Sequence, residues 1–286
     1  MATDLEAVVT AVKQSRKYRD TSEETIRELA TAALRQHKKP KVAIKAVRTQ
    51  LHSIMAPYLG DPDYKAAAAQ LDEAFAAGDP DRIRAVCRDI LHSHLSTRER
   101  LPILEEFYAR IFAVTGRPRA ILDVACGLNP LSFPWMGLAH SVEFYAYDIH
   151  EPRIDFLNHY FRRQGLKPLA RLQDIALQFP QETADVALFL KEMPRFERNY
   201  HGQGRPLLEA LRVRWLVISF PTVSTHGGRN LTRRYREFMG QLIAGKNWPV
   251  TELLFEGELV FCIKKQESED RARGNNASSS SSHSPR

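Results

Sequence analysis

Apolar residues return every three to four positions through the first hundred residues, and after residue 117 they gather in short unbroken runs. The first texture is that of amphipathic helices, the second that of buried strands. DLEAVVTAVKQSRKY (4–18) places Leu5, Val8, Val9 and Val12 on one helical face. TSEETIRELATAALRQH (21–37) carries Thr21 and Glu24 at capping-box spacing. KVAIKAVRTQLHSIM (41–55) follows Pro40 and keeps the helical period, and two further helices open on Asp-Pro, at Asp61 and Asp79. Ser96 and Glu99 predict a cap for one long helix through LPILEEFYARIFAV, with Pro102 accommodated in its first turn. Residues 1–115 therefore predict a helical N-terminal domain.

From Arg117 the pattern becomes AILDVA, VEFYAYDI, LARLQDI, DVALFLK and RWLVISF, with helical stretches such as PRIDFLNHYFRRQG between some of them. That alternation predicts βαβ units and a parallel sheet over 116–265. TELLFEGELVFCIKK turns at Glu256-Gly257 and predicts a hairpin adding an antiparallel edge. Residues 266–286 are polar and serine-rich and predict a disordered tail.

Ligands of open α/β sheets bind at the carboxyl ends of the strands. The first strand ends in Asp123-Val-Ala-Cys-Gly127, the second in Asp148, the third in Asp174, the fourth in Leu190-Lys191. Asp148 lies 21 residues past Gly127, the spacing of the acid that holds a ribose in nucleotide folds. The first loop has one glycine where a phosphate-binding loop has two or three. Acids after three successive strands suit a nucleoside without phosphates, neutral or cationic. Each acid alone also reads as an ordinary turn residue. Asp123 suits orienting the loop, Cys126 suits packing, and Trp135 suits the core rather than a base-stacking platform.

Charge adds a second feature. The net charge is +7, and residues 1–52 hold 11 Lys and Arg against 6 Asp and Glu. No acid falls between Leu29 and Leu51, where Arg35, Lys38, Lys39, Lys41, Lys45 and Arg48 cluster. The cluster reads either as a solvated face or as a polyanion footprint. Three scattered cysteines, Cys87, Cys126 and Cys262, form no metal or disulfide pattern. No apolar run approaches the roughly 18 residues of a membrane helix, and Asp4 and Glu6 stand where a secretory leader would be positive. The expectation is a soluble cytoplasmic protein, monomeric, with no metal and no membrane partner.

Three segments carry a specific likeness: HSHLSTRERLPILEEFY (92–108), ILDVACGLNPLSFPWMGL (121–138) and ADVALFLKEMPRFE (184–197). With them the chain resembles the aminoglycoside-resistance 16S rRNA methyltransferases that modify N7 of guanine 1405. The resemblance implies a Rossmann-like class I methyltransferase with a seven-stranded, mostly parallel sheet, preceded by an all-helical domain that docks on the 30S subunit. It implies S-adenosylmethionine as cofactor, held by Tyr58, His94, Leu95, Ser96, Arg100, Ala125, Gly127, Asp148, Asp174, Ile175, Leu190 and Tyr200. Arg100 would meet the methionine carboxylate, Asp148 the ribose, and Asp174 and Ile175 the adenine. Tyr200 falls at a family contact position by spacing only. Glu197 is the expected catalytic carboxylate, with Lys191 and Arg229 donating to guanine O6 or to phosphates. Lys38, Lys39, Lys41, Lys45, Arg48, Arg233 and Arg234 are the expected rRNA contacts, and Arg236 extends the last group.

Guanine N7 carries a free lone pair on the Hoogsteen edge, so methylation there needs no general base. Placement and electrostatics suffice, in keeping with a sequence that shows no catalytic dyad. Two alternatives remain at this stage: a methyltransferase for adenine N1 in the same decoding region, and a non-catalytic rRNA-binding module.

Overall fold

A computed structural model describes residues 2–55, 60–223 and 230–265 of the chain. Tyr58, Arg229 and the segment 266–286 lie outside the described residues. Helices α1 (Ala2–Lys13), α2 (Glu23–Gln36) and α3 (Pro40–Met55) come first, then α4 (Tyr64–Ala77), α5 (Pro80–Leu91), the single turn α6 (Leu95–Arg98) and α7 (Leu104–Thr115). Strands β1 (Ala120–Val124), β2 (Glu143–Asp148), β3 (Ala170–Leu172), β4 (Thr183–Leu190) and β5 (Arg212–Pro221) follow, with α8 (Glu151–Arg163) between β2 and β3. Helices α9 (Met193–Asn199) and α10 (Gly204–Ala210) join β4 to β5. After α11 (Thr232–Leu242) the chain ends in β6 (Val250–Phe255) and β7 (Glu258–Lys264).

The seven strands form one sheet in the order β3-β2-β1-β4-β5-β7-β6. The first five are parallel, and β7 runs antiparallel to both β5 and β6. The expected hairpin is present at Glu256-Gly257, where Gly257 takes a φ of +76°. It does not merely extend the edge: its second strand inserts beside β5, and its first becomes the outer strand. The reason is burial. Every residue from Glu258 to Ile263 is buried, whereas β6 is largely exposed.

Two helical expectations need correction. Helix α2 starts at Glu23 on Ser22, without a side-chain cap. Thr21 is diverted instead to a bridge with His150, and its hydroxyl faces the Met55 sulfur at 3.4 Å. The long helix predicted from Ser96 is broken into α6, a 3-10 turn over Leu101–Ile103, and α7. Pro102 has no N–H to continue the ladder, and its ring opposes the carbonyl of Arg98.

Helices α1, α2 and α3 close on a core of their own, built from Val8, Val12, Ile26, Ala30, Val47 and Leu51. Helices α4, α5 and α7 instead share the core of the sheet through Leu71, Cys87, Phe107 and Ile111. The three-helix unit is tied to the sheet by backbone. Ser22 N donates to Ile149 O, and Glu151 N donates to Asp20 O. Helix α3 also meets α9 where Ser53 Oγ donates to Asn199 Oδ1 at 3.0 Å. These ties fix the end of α3 above the carboxyl ends of the strands. Leu51 is fully buried at the centre of the small core. Replacing it with alanine is expected to destabilise the protein by about 2–5 kcal/mol, read from denaturant unfolding. A cost below about 1 kcal/mol would show that this core is not closely packed.

Candidate active site

At the carboxyl ends of β1 to β4 the chain leaves a partly open cleft, the place where open α/β sheets bind ligands. Each strand contributes at its end: Ala125 after β1, Asp148 and Ile149 at β2, Asp174 and Ile175 after β3, Glu192 after β4. Phe196 and Tyr200 close one side, and Ile54 and Met55 from the end of α3 form the roof. Ala125 (φ +54°) and Lys191 (φ +61°) are the non-glycine residues in the left-handed region among those described. Such backbone costs on the order of 1–3 kcal/mol each and gathers at functional sites. Here both stand just past strand ends bordering the cleft.

The Asp148 carboxylate is held from three directions. Its Oδ2 accepts from Gly127 N at 3.1 Å and from Arg153 Nη1 at 2.8 Å. Its Oδ1 accepts from His150 N at 3.0 Å. A carboxylate has about four acceptor directions, so one on Oδ1 remains for a ligand hydroxyl. Arg153 is 2% exposed and reaches on, through Nη2, to Asp61 Oδ1 at 2.8 Å. His94, fully buried, meets the same oxygen through Nε2 at 2.8 Å, and the Tyr64 hydroxyl donates to it as well. Burial pushes Asp61 up, but the His94 hydrogen bond and the Arg153 charge outweigh it and hold the carboxyl below its ordinary range. Burial holds His94 and His150 below the usual imidazole value.

Asp174 accepts from Ala176 N at 2.9 Å and from the Tyr200 hydroxyl at 3.3 Å. Burial raises it above the ordinary carboxyl range despite these bonds. The structure thus brings Ala125, Asp148, Asp174, Ile175 and Tyr200 together in one cleft. An anion-binding nest of amides would want a phosphate. Two carboxyl groups between apolar walls instead fit the hydroxyl and amino donors of a nucleoside.

Other expected residues stand beside the cleft rather than on its lining. Arg100 is buried, with Nε and Nη2 on the two oxygens of Glu258 (3.0 and 2.7 Å) and Nη1 on Asn129 Oδ1 at 3.0 Å. Asn129 in turn donates to Asp123 Oδ2 at 2.8 Å. His94 stands at the position before α6 without a side-chain cap, and Leu95 and Ser96 are half-buried on that turn. Leu190 is half-buried at the end of β4. Lys191 Nζ pairs with Glu99 at 2.9 Å and with Glu258 at 3.4 Å. Glu197 points to its own turn: its oxygens accept from Gly202 N and Gly204 N at 2.6 and 2.8 Å. A Cβ at Gly204 would lie 2.5 Å from that carboxylate, so a side chain there would push Glu197 out of this arrangement.

Lys38, Lys39, Lys41, Lys45 and Arg48 are all exposed, along α3 and just before it. Its buried positions Ala43, Val47, Leu51 and Met55 occupy the opposite face. Arg233 and Arg234 are exposed on α11, Arg233 within 3.6 Å of Glu237, and Arg236 is paired with Glu252. Sequence reasoning missed Asp61, Arg153, Glu192 and Glu258. Arg153 had a signal: it precedes Phe156, Leu157 and Tyr160 at helical spacing, in phase with the buried face of α8. Among the described residues no group of His, Cys, Asp or Glu is arranged for a metal ion, and no helix is long and apolar enough to cross a membrane.

Asp123 is 1% exposed, and burial pushes its carboxyl up to about 8 against the Asn129 hydrogen bond and the Arg100 charge. Between the ordinary carboxyl value near 4 and about 8, the folded protein keeps a proton that the unfolded chain has lost. This group therefore lowers stability as pH rises through that window. Asp123→Asn copies the neutral acid. Its Tm is expected to gain on the parent protein steadily from pH 5 to 8, by circular dichroism. Asp123→Ala strands the Asn129 amide and is expected to lose about 1–3 kcal/mol. Parallel pH profiles for parent and Asn variant would place the proton elsewhere.

A family model described as ribosomal RNA methyltransferase (FmrO) matches residues 14–262. The chain is 35% identical over 260 residues to the 16S rRNA (guanine(1405)-N(7))-methyltransferase of Serratia marcescens, covering 90% of this chain and 97% of that one. It is 33% identical over 265 residues to the enzyme of the same name from Micromonospora echinospora, covering 91% and 97%. Among solved structures, the 16S rRNA methyltransferase RmtF in complex with S-adenosyl-L-homocysteine superposes with a TM-score of 0.80 at 32% identity, over 93% of this chain and all of that one (100%). The 16S rRNA methylase RmtB gives 0.76 at 33%, over 92% and 98%. With the sheet order, the cleft at the strand ends and these matches together, the chain belongs to the 16S rRNA (guanine(1405)-N(7))-methyltransferase family, an enzyme with the class I methyltransferase fold.

Proposed function

We propose that this enzyme transfers a methyl group from S-adenosylmethionine to N7 of guanine 1405 in the 16S rRNA of the 30S subunit, and so confers aminoglycoside resistance. The observation that carries the reading is the pair Asp148 and Asp174, set at the ends of adjacent strands in a cleft roofed by the last turn of the basic helix α3. A nucleoside in the cleft and a polyanion on α3 would then meet at one place.

When bound, S-adenosylmethionine supplies an electrophilic methyl group on a sulfonium. Asp148 holds the ribose through the remaining acceptor direction of Oδ1, while Asp174 accepts from the adenine amino group. Ala125 and Ile175 flank the nucleoside, Leu190 borders the sulfonium end, and Gly127 keeps Asp148 in place. Arg100 has two N–H groups beyond those given to Glu258 and Asn129, and with these it would hold the methionine carboxylate. His94, Leu95 and Ser96 shape the turn that presents Arg100, and Tyr58 closes the cofactor from the helical side. Tyr200 orders Asp174. Glu197 offsets the positive charge on the methylated base, and Lys191 and Arg229 donate to guanine O6 or neighbouring phosphates. The helical N-terminal domain docks on the 30S subunit through Lys38, Lys39, Lys41, Lys45 and Arg48, with Arg233 and Arg234 adding phosphate contacts. Their combined charge helps offset the few kcal/mol needed to extrude a stacked base.

The test is 16S rRNA from cells expressing the protein, cleaved with borohydride and aniline and mapped by primer extension. A break at guanine 1405 is expected. A stop at an adenine without aniline cleavage would favour adenine N1, and an unmodified decoding site would leave only an rRNA-binding module. Glu197→Gln keeps an acceptor for the Gly204 turn but removes the charge. It is expected to slow single-turnover methyl transfer by about 10²-fold with cofactor affinity retained; normal turnover would remove Glu197 from the chemistry. Reversing the charge of Lys38, Lys39 and Lys41 is expected to weaken 30S binding and flatten its dependence on salt. Unchanged affinity would leave the cluster as a solvated face.

A further inference from the structure

We propose that Asp61 is a positioning residue for the cofactor, acting through Arg153 on Asp148, so that the segment entering α4 sets the affinity of the cleft. The inference rests on the reading of Asp148 as the ribose acid.

Arg153 Nη1 bonds Asp148 Oδ2 and Arg153 Nη2 bonds Asp61 Oδ1, both at 2.8 Å. Its Nε donates to the Tyr64 hydroxyl at 3.2 Å, and that hydroxyl donates to Asp61. One planar cation therefore lies between two carboxylates, one bordering the cleft and one on the connection into α4. A guanidinium is rigid, so its two forks cannot move independently. Holding Nη2 on Asp61 fixes the direction from which Nη1 reaches Asp148. That in turn keeps Asp148 Oδ2 on Gly127 N, and leaves Oδ1, which accepts from His150 N, with an acceptor direction to spare. Asp61 is itself fixed by His94, the residue preceding the α6 turn, and lies 3.8 Å from His150 Nε2 through its other oxygen. Without the Asp61 charge, the buried cation keeps its contact with the Asp148 carboxylate at 2.8 Å. It is then drawn onto that carboxylate, competing with the Gly127 amide and the ribose for the same oxygens. The segment carrying Asp61 also joins α3 to α4, so the basic helix and the ribose acid share one connection.

The test is a double-mutant cycle on the full chain, with S-adenosylhomocysteine affinity measured by calorimetry and methyl transfer to 30S subunits measured at saturating cofactor. Asp148→Ala alone raises Kd. Asp61→Asn alone raises Kd about tenfold, while kcat at saturating cofactor stays within about threefold. In the Asp148→Ala background the same Asp61→Asn change adds less than about twofold, because the group it acts through is gone. A merely structural role would give the full tenfold loss in both backgrounds, and that result overturns the proposal. An unchanged Kd in Asp61→Asn, with Asp148→Ala weakened, overturns the relay alone. An unchanged Kd in Asp148→Ala removes the ribose reading and the relay with it. Should Asp61→Asn fail to fold, Tyr64→Phe carries the same cycle: it removes the hydroxyl between Asp61 and Arg153 but keeps the ring packed on Phe156 at 5.2 Å. It is expected to raise Kd by a smaller factor, again only where Asp148 is present; an equal rise in both backgrounds, or none, counts against the relay.

Discussion

A guanidinium cannot shed its charge and cannot stay buried alone, and Arg153 is both buried and charged. Removing one partner from such a group costs about 3–5 kcal/mol, a large share of a domain's stability. The end of β2, the first turn of α8, the connection into α4 and the approach to α6 must therefore assemble around it together. These are the segments that shape the cleft. The loop after β1 has little means of fixing Asp148 by itself, since it contributes one amide, from Gly127.

A second buried cation stands at the same carboxyl ends of the strands, nearer β1, β5 and β7. Arg100 is shared between Glu258 of β7 and Asn129, and Asn129 passes the contact to Asp123 of β1 and to the Tyr108 hydroxyl of α7. Glu258 also faces Lys191, and the two cations outweigh the burial that would otherwise raise its carboxyl. The two networks explain how a loop with so little glycine serves a ligand site. Its geometry is enforced by ion pairs from helices behind it, where a phosphate-binding loop would rely on its own amides. The prolines and apolar residues of NPLSFPW serve packing: the 3-10 segment Asn129–Trp135 is almost wholly buried, and the Trp135 Nε1 donates to Glu105.

The sheet was legible because buried parallel strands must be apolar on both faces. AILDV and VALFL admit few other readings. Of the acids at the strand ends, Asp148 and Asp174 line the cleft, whereas Asp123 turns into the buried network of Asn129. What escaped notice was charge hidden by context. Arg153 looks like one more surface arginine in PRIDFLNHYFRR until its helical phase is set against Phe156 and Leu157. Glu258 follows a turn glycine and reads as a solvent-facing hairpin residue, yet it is 1% exposed. The long helix over LPILEEFY failed because Pro102 was weighed as a first-turn residue, whereas the turn before it already carries helical geometry. The capping box at Thr21 failed because a tertiary contact to His150 outcompeted the local one.

The roof of the cleft has a pharmacological consequence. Ile54 and Met55 belong to a helix outside the methyltransferase sheet, and Met55 is buried against the chain that also holds Thr21. A small molecule that copied only the nucleoside would meet features common to many enzymes of this fold. One that extended an apolar group upward into the Ile54–Met55 contact would touch a surface that exists only where this three-helix unit is joined to the sheet. Selectivity for an inhibitor of this enzyme would then come from the ceiling of its site rather than from its floor.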